Sequence, residues 1–311
     1  MLNHLRVLPV VPALLVLALL GGCGGDRGAA PLDAGDLEGA RTLLEEARER
    51  LRDPSWQPAP IRAILMVEVG LPDEAAALES SIEDVANRAL VRAVRMFRSH
   101  RYLEVDEALR VVLAERPDDE AALLLRAELE LVANREAEAR RTGERLIELD
   151  RRNPDAAVLL GRIHLGAGDP DLARDWVREA LRSNAGHAEA HLLEAEALLV
   201  LGRGDEAAAA LGRALRFDPL HPDGRFLKGL LLESDPHRAA ESAAHFDLAL
   251  EVHPFHLPTH LHRAGGSGTL EDPAVTEGAD ALPHGEIVEL IAMRRDAFQA
   301  AVARGEALKP R

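Results

Sequence analysis

The chain has 311 residues, enough for one large or two ordinary domains, and 53 acidic against 37 basic side chains give it a formal charge of −16. That surplus argues against a nucleic-acid partner, which needs clustered cations, and aromatic residues at 3% leave few platforms on which bases could stack. Apolar residues at 47% and charged residues at 29% fit a folded chain.

Residues 1–22 read as a signal segment. Arg6 precedes an apolar stretch from Val7 to Leu20 that is interrupted by Pro9 and Pro12. As a helix it would span about 21 Å, short of the ~30 Å hydrocarbon core, so a signal-peptide core fits better than a transmembrane helix. The stretch ends Leu20-Gly21-Gly22-Cys23, which resembles the lipobox of bacterial lipoproteins. The resemblance implies that Cys23 carries lipid on its sulfur, becomes the N-terminus after cleavage and is acylated on the new amine. Two or three acyl chains hold a protein firmly to a bilayer, whereas one does so marginally. By the same resemblance, Gly24 rather than Asp after the cysteine favours the periplasmic face of the outer membrane. Residues 23–36, rich in Gly, Ala, Asp and Pro, read as a flexible tether.

Residues 37–85 open with an amphipathic helix, apolar at Leu37, Leu43, Leu44, Ala47 and Leu51, and continue into a degenerate repeat marked by Gly70, Ala75 and Ile82. From 86 to 255 the chain repeats every 34 residues, in units of about 86–119, 120–153, 154–187, 188–221 and 222–255. Ala93, Ala127, Gly161, Ala195 and Gly229 form one column; Ala139, Ala173 and Ala207 form a second in the same phase. Ala180-Leu181 and Ala214-Leu215, then Asn134, Gly168 and Gly202, then Pro117 and Pro219, form three more. Small residues suit points where helices cross, and Asn or Gly tolerates the left-handed conformation that ends a helix. Each unit therefore reads as a helical hairpin, too short to bury its apolar face alone, so neighbours must stack.

This pattern resembles the tetratricopeptide repeat, on Leu160-Gly161, Ala173, Ala207, Ala180-Leu181, Ala214-Leu215, Pro117 and Pro219. The usual Trp of the first helix is replaced by Leu123, Ala157, His191 or Arg225. The resemblance implies an all-α fold, a right-handed α-solenoid whose first helices line a concave groove that takes a protein or peptide segment. Mapped on this chain, Leu124, Val158, Leu192 and Phe226 make one groove row and Leu131, Leu165 and Leu199 another, with Glu128, Arg162 and Glu196 between them. Many of these Leu side chains could instead pack against second helices. The Lys and Asn with which some family members clamp a C-terminal carboxylate are missing from these rows.

Residues 256–284, with Gly265-Gly266-Ser267-Gly268, Pro273 and Pro283, read as an irregular loop; 285–306 read as a helix capping the stack. The histidines from 245 to 262 suggest an alternative, a periplasmic metal- or haem-handling protein, with His256 and His260 at i, i+4 as the candidate ligands. Pro258 between them and the missing third ligand argue for solvated or capping histidines instead. No nucleophile elbow, phosphate-binding Gly-rich loop or His-Glu-x-x-His occurs, so neither catalysis nor a cofactor is expected. The reading is a lipid-anchored interaction scaffold serving an envelope assembly, secretion, pilus or polysaccharide-export system.

Overall fold

The computed structural model describes residues 35–233 and 235–263. The signal segment, Cys23, most of the tether, residues 264–284 of the expected loop and the expected capping helix lie outside the described residues. Among the described residues there are fourteen α-helices, one 3-10 turn and no strand. No described helix is long and apolar enough to cross a membrane.

Helix α1 spans Leu37–Arg52, α2 Ala59–Glu68 and α3 Pro72–Glu79. Five hairpins follow: α4 Val85–Arg98 with α5 Tyr102–Glu115, α6 Glu120–Val132 with α7 Glu136–Leu149, and α8 Pro154–Gly166 with α9 Pro170–Ser183. The last two are α10 Ala188–Val200 with α11 Gly204–Phe217, and α12 Pro222–Glu233 with α13 Ala239–Val252. Consecutive hairpins stack, and α2–α3 form a further pair in front of them. A short helix, α14, spans Leu257–Arg263. It corrects the expectation of an irregular loop from residue 256: the Thr259 hydroxyl and His256 Nδ1, 2.8 Å apart, close its first turn.

The two kinds of turn differ in physics. A first helix starts on a side-chain cap: Asp84, Asp119, Asn153 and His187 each accept the amide three residues on. It ends on a left-handed residue, at His100, Asn134, Gly168 and Gly202, spaced by 34. The amide of the next residue then reaches back to a carbonyl five positions earlier, as in Asp169 N to His164 O at 2.9 Å. His100 extends the Asn134, Gly168, Gly202 column by one unit. A non-glycine residue there costs about 1–2 kcal/mol, offset by the two hydrogen bonds of its ring, to the Tyr102 hydroxyl and the Phe255 carbonyl.

The small-residue column lies where helices cross. Ala93, Ala127 and Ala195 are wholly buried. A Cβ on Gly161 would lie 2.8 Å from Leu193 Cδ2, and one on Gly229 would lie 2.5 Å from Phe246 Cε1. The polar residues at the usual Trp position are also buried. His191 stacks on Phe217 with ring centroids 5.6 Å apart. Arg225, with no exposed surface, donates from Nε to the Pro219 carbonyl at 2.7 Å.

The end of the described array packs back on its beginning. Helix α13 touches α1, and Leu248 and Val252 share one core with Leu44, Leu51 and Val69. Arg41 forks onto the Glu251 carboxylate, and Arg48 donates to the carbonyls of Val69 and Glu251 at 2.9 and 2.7 Å. His253 Nε2 donates to the Arg98 carbonyl at 3.1 Å, and His100 Nε2 to the Phe255 carbonyl at 2.8 Å. At Gly70, with φ of 76°, an added Cβ would lie 2.8 Å from the Glu251 carbonyl oxygen, so the two backbones meet where only glycine fits. The turn 252–256, which follows a second helix, thus sits on the turns 69–71 and 98–102, which follow first helices. One coil of the solenoid closes edge to edge.

Replacing Gly229 by Ala should lower stability by about 1–3 kcal/mol in urea unfolding, because the added methyl drives into the Phe246 ring. Gly212→Ala, in a helix with open space around it, should instead be neutral or stabilising by up to ~1 kcal/mol.

Candidate functional site: the charged inner face

The first expected groove row is corrected by the structure. Leu124, Val158, Leu192 and Phe226 are only 7, 3, 3 and 6% exposed, too little to offer a binding surface. Leu124 packs with Ala139 and Leu160, Val158 with Val177 and Ala180, and Leu192 with Ala207 and Leu211. Phe226 is covered by the rings of Phe246, His256 and His262, with centroids 5.8, 5.8 and 6.0 Å away. The reason is the helix period. Each of these residues precedes a small-column residue by three positions, so both lie on the face that the neighbouring helices cover. Leu131, Leu165 and Leu199, near the helix ends, are half-buried.

Glu128, Arg162 and Glu196 each follow a small-column residue by one position, about 100° round the helix, and remain partly exposed. Arg162 Nη1 donates to Glu128, one repeat earlier, at 2.9 Å, and Nη2 pairs with Glu189, one repeat later. Glu189 also pairs with His221. Arg98 forks onto Glu68 at 2.6 and 3.1 Å, and its guanidinium lies within electrostatic reach of Glu189 and Asp223. Charges from α4, α8, α10 and α12 therefore converge on one inner face.

A second series runs along the helix starts. Asn153 Nδ2 reaches Glu120 at 3.3 Å, His187 Nε2 donates to Asp155 at 3.1 Å, His221 pairs with Glu189, and His256 Nε2 bonds Asp223 at 3.0 Å. In each case the residue at a helix start holds an acid in the first turn of the preceding repeat's first helix. His187 also accepts the amide of Ala190 on Nδ1, which leaves the proton on Nε2 for the carboxylate; the Gly224 amide lies 3.3 Å from His221 Nδ1, which can accept it only in the neutral ring. Sequence reading missed this role, although the spacing of 32 from Asp155 to His187 and from Glu189 to His221 carried the signal.

The electrostatics follow from this packing. Burial penalises a charge on Glu189, but His221 and Arg162 outweigh it and hold the carboxyl down to about 2. Burial likewise opposes a charge on His221, and Glu189 overrides it, lifting the imidazole to about 9. The Asp223 carboxyl is held well below its usual range by the His256 hydrogen bond, again against burial. Glu196 behaves differently. It makes no hydrogen bond or ion pair among the described residues, and burial, with Glu189 and Asp223 nearby, pushes it up to about 7 against the pull of Arg162.

Two family models match the array. Residues 192–256 match the model described as tetratricopeptide repeat, and residues 132–214 match the one described as anaphase-promoting complex, cyclosome, subunit 3. Residues 192–256, most of the last two hairpins, are thus identified as tetratricopeptide repeats. A thermophilic tetratricopeptide-repeat protein of Thermus thermophilus is similar in structure, with a TM-score of 0.50 and 24% identity over 58% of this chain and 98% of that one. The Cut9 and Hcn1 hetero-tetramer of the anaphase-promoting complex gives a TM-score of 0.59 at 14% identity over 90% of this chain and 62% of that one. No curated protein matches the chain.

Within these repeats the alternative metal reading is also corrected. His256 and His260 do not converge: His256 turns to Asp223 and Thr259, and His260 Nε2 donates to the Pro254 carbonyl at 2.8 Å. His262 bonds Glu233, and His245 is buried beside Arg225, where burial and that cation pull it down to about 4. Among the described residues no group of three or more His, Cys, Asp or Glu could hold a metal.

His221→Ala should cost about 1–3 kcal/mol at pH 7, through the lost charged pair with Glu189. Because the imidazole is raised, the wild type's margin should be full below pH 6.5 and fade as pH rises through 9, read by thermal melts across pH. Glu196→Gln should have the opposite profile. A raised carboxyl costs stability as pH climbs from 4.5 towards 7, so the variant should melt above the wild type at pH 8 and level with it at pH 4.5.

Proposed function

We propose that this tetratricopeptide-repeat chain is a non-enzymatic interaction scaffold that holds a protein or peptide segment against its charged inner face. We further propose that lipid on Cys23 anchors it to the periplasmic face of a bacterial outer membrane, where it serves an assembly, secretion, pilus or polysaccharide-export machine. The observation that carries the binding reading is the Glu128, Arg162, Glu196 row. Its first two members are tied together across repeats, and the third is partly exposed without a partner among the described residues. A Lys or Arg of a bound segment would satisfy Glu196, and charges so placed set register and orientation more than raw affinity. The half-buried Leu165 and Leu199 beside the row would add apolar contact.

The test uses residues that line the face. Full-length protein and a Glu196→Lys variant with an unchanged melting profile are used to capture partners from detergent-solubilised envelopes. A partner retained about tenfold better by the wild type, a difference of ~1.4 kcal/mol, is the expected result; equal retention would remove the inner face as the working surface. For the anchor, Cys23→Ser should move the protein from the membrane fraction to the soluble fraction, and continued membrane association would refute lipidation.

A further inference from the structure

The contact that closes the coil is built around a histidine with no room for a second proton. His253 uses Nε2 to donate to the Arg98 carbonyl, so in the neutral ring Nδ1 is the bare nitrogen. That Nδ1 is sealed from solvent and has no hydrogen-bond partner. The neighbours offer none. The His256 ring lies 5.7 Å away and is committed to Thr259 and Asp223. The His100 ring, 6.5 Å away, is committed to Tyr102 and Phe255. Of the charged groups packed around the turn, Arg98 is occupied by Glu68, and Glu251 by Arg41, with Arg48 on its carbonyl. The acids nearest the turn are thus already paired, Glu68 with Arg98, Glu251 with Arg41 and Asp223 with His256.

We propose that the contact of turn 252–256 with α1 and with turns 69–71 and 98–102 is a latch that releases on acidification, with His253 as its sensor, and that release opens the inner face to a partner segment. The second half rests on the binding reading above; the first does not. Protonating His253 in the closed coil would place a charge beside the Arg98 guanidinium and leave the new N–H without an acceptor. Burial, then Arg98, then the neighbouring histidines hold the closed-state imidazole well below its ordinary value. Once the turn lifts away, the ring meets water and regains a pKa of about 6.5. A histidine depressed in the closed state favours closure above about pH 6.5 and withdraws that support as pH falls below it, by up to about tenfold per pH unit for one proton. The charged pair of His221 and Glu189 does not share this window, whereas His245, inside the α12–α13 hairpin, does. His221 and Glu189 hold their charges from about 2 to about 9, so the stack stays coupled while the latch lets go.

Hydrogen–deuterium exchange on the full-length protein, corrected for intrinsic rates, tests the latch at pH 8, 7, 6 and 5.5. Peptides covering 37–52 and 248–257 should lose protection by up to about tenfold per pH unit below about 6.5, while those from 120–217 keep it. His253→Gln, which can still donate to the Arg98 carbonyl and does not titrate, should hold protection flat to pH 5.5. Wild-type protection unchanged across this range would overturn the latch, and an equal pH dependence in His253→Gln would overturn the sensor. Should His253→Gln already be open at pH 8, Glu251→Lys, which sets like charges opposite Arg41, gives a second open form. Its exchange pattern must then match that of the wild type at pH 5.5, and a mismatch would overturn the proposal. Partner capture at pH 8 by Glu251→Lys, about tenfold or more above wild type, is the expected sign of gating. Equal capture by both would overturn the gating while leaving the latch to the exchange data.

Discussion

Everything in this array depends on how closely its helices approach at the Ala and Gly column. At Gly229 there is no space for a methyl before the Phe246 ring, and at Gly161 the Leu193 methyl occupies the place a Cβ would take. Axes held that near each other bury the side chains three positions before the column on the same helix stripe. That is why Leu124, Val158 and Leu192 became core, and why the residues next to the column, Glu128, Arg162 and Glu196, became the inner wall. The charged inner face is therefore a by-product of packing. It is charged because the apolar side chains were already consumed in holding the hairpins together.

A charged wall inside a tight coil raises an energetic problem, and the paired caps answer it. Desolvating a carboxylate costs several kcal/mol unless a partner sits against it. Glu189 has two, Arg162 and His221, and Asp223 has His256. These pairs also join consecutive repeats at the helix starts, where a side chain is needed in any case to accept the free amides. At His187 one ring meets two demands, accepting the amide that starts its own helix and donating to an acid of the preceding repeat. Such pairs add little net stability compared with an apolar contact of the same volume, but they fix the register of one hairpin on the next. Among the described residues Glu196 sits in the same wall without such a partner, which is why the proposed binding reading turns on it.

The legible part of this structure was the part with a period. Columns at 34 residues marked the hairpins, the crossings and the left-handed turns, because each of those constraints acts within one unit and is repeated in the next. The Leu row was misread even though the helix period was available: an i, i+3 relation to Ala127, Gly161, Ala195 and Gly229 already put those residues on the covered face. His187 and His221 drew no reading of their own, since the relevant interval, 32, differs from the repeat by the two positions between a helix start and its first turn. The closure was illegible for a different reason. Whether Glu251 meets Arg41, some 210 residues away, depends on the small rotation between neighbouring repeats summed over the whole coil. No local pattern records that sum; Gly70, the one residue shaped by the contact, looks like any other turn glycine.

Closure also changes what affinity means for such a protein. A segment that needs the coil open binds only the open fraction, so its apparent dissociation constant is the intrinsic one divided by that fraction. On the proposed latch, the closing surface, which combines the buried Leu248 and Val252 with several charged hydrogen bonds, keeps the open fraction at pH 8 small. Each of those contacts weakens binding without touching the partner. Substitutions on α1 or turn 69–71 would then change affinity by the same factor for every segment the inner face accepts, whereas substitutions at Glu196 would change the preference among segments. The separation of these two effects is what distinguishes a gate from a recognition site. The proposed latch lies on the edge of the coil, and the charged row lies inside it, so the two effects can be varied separately.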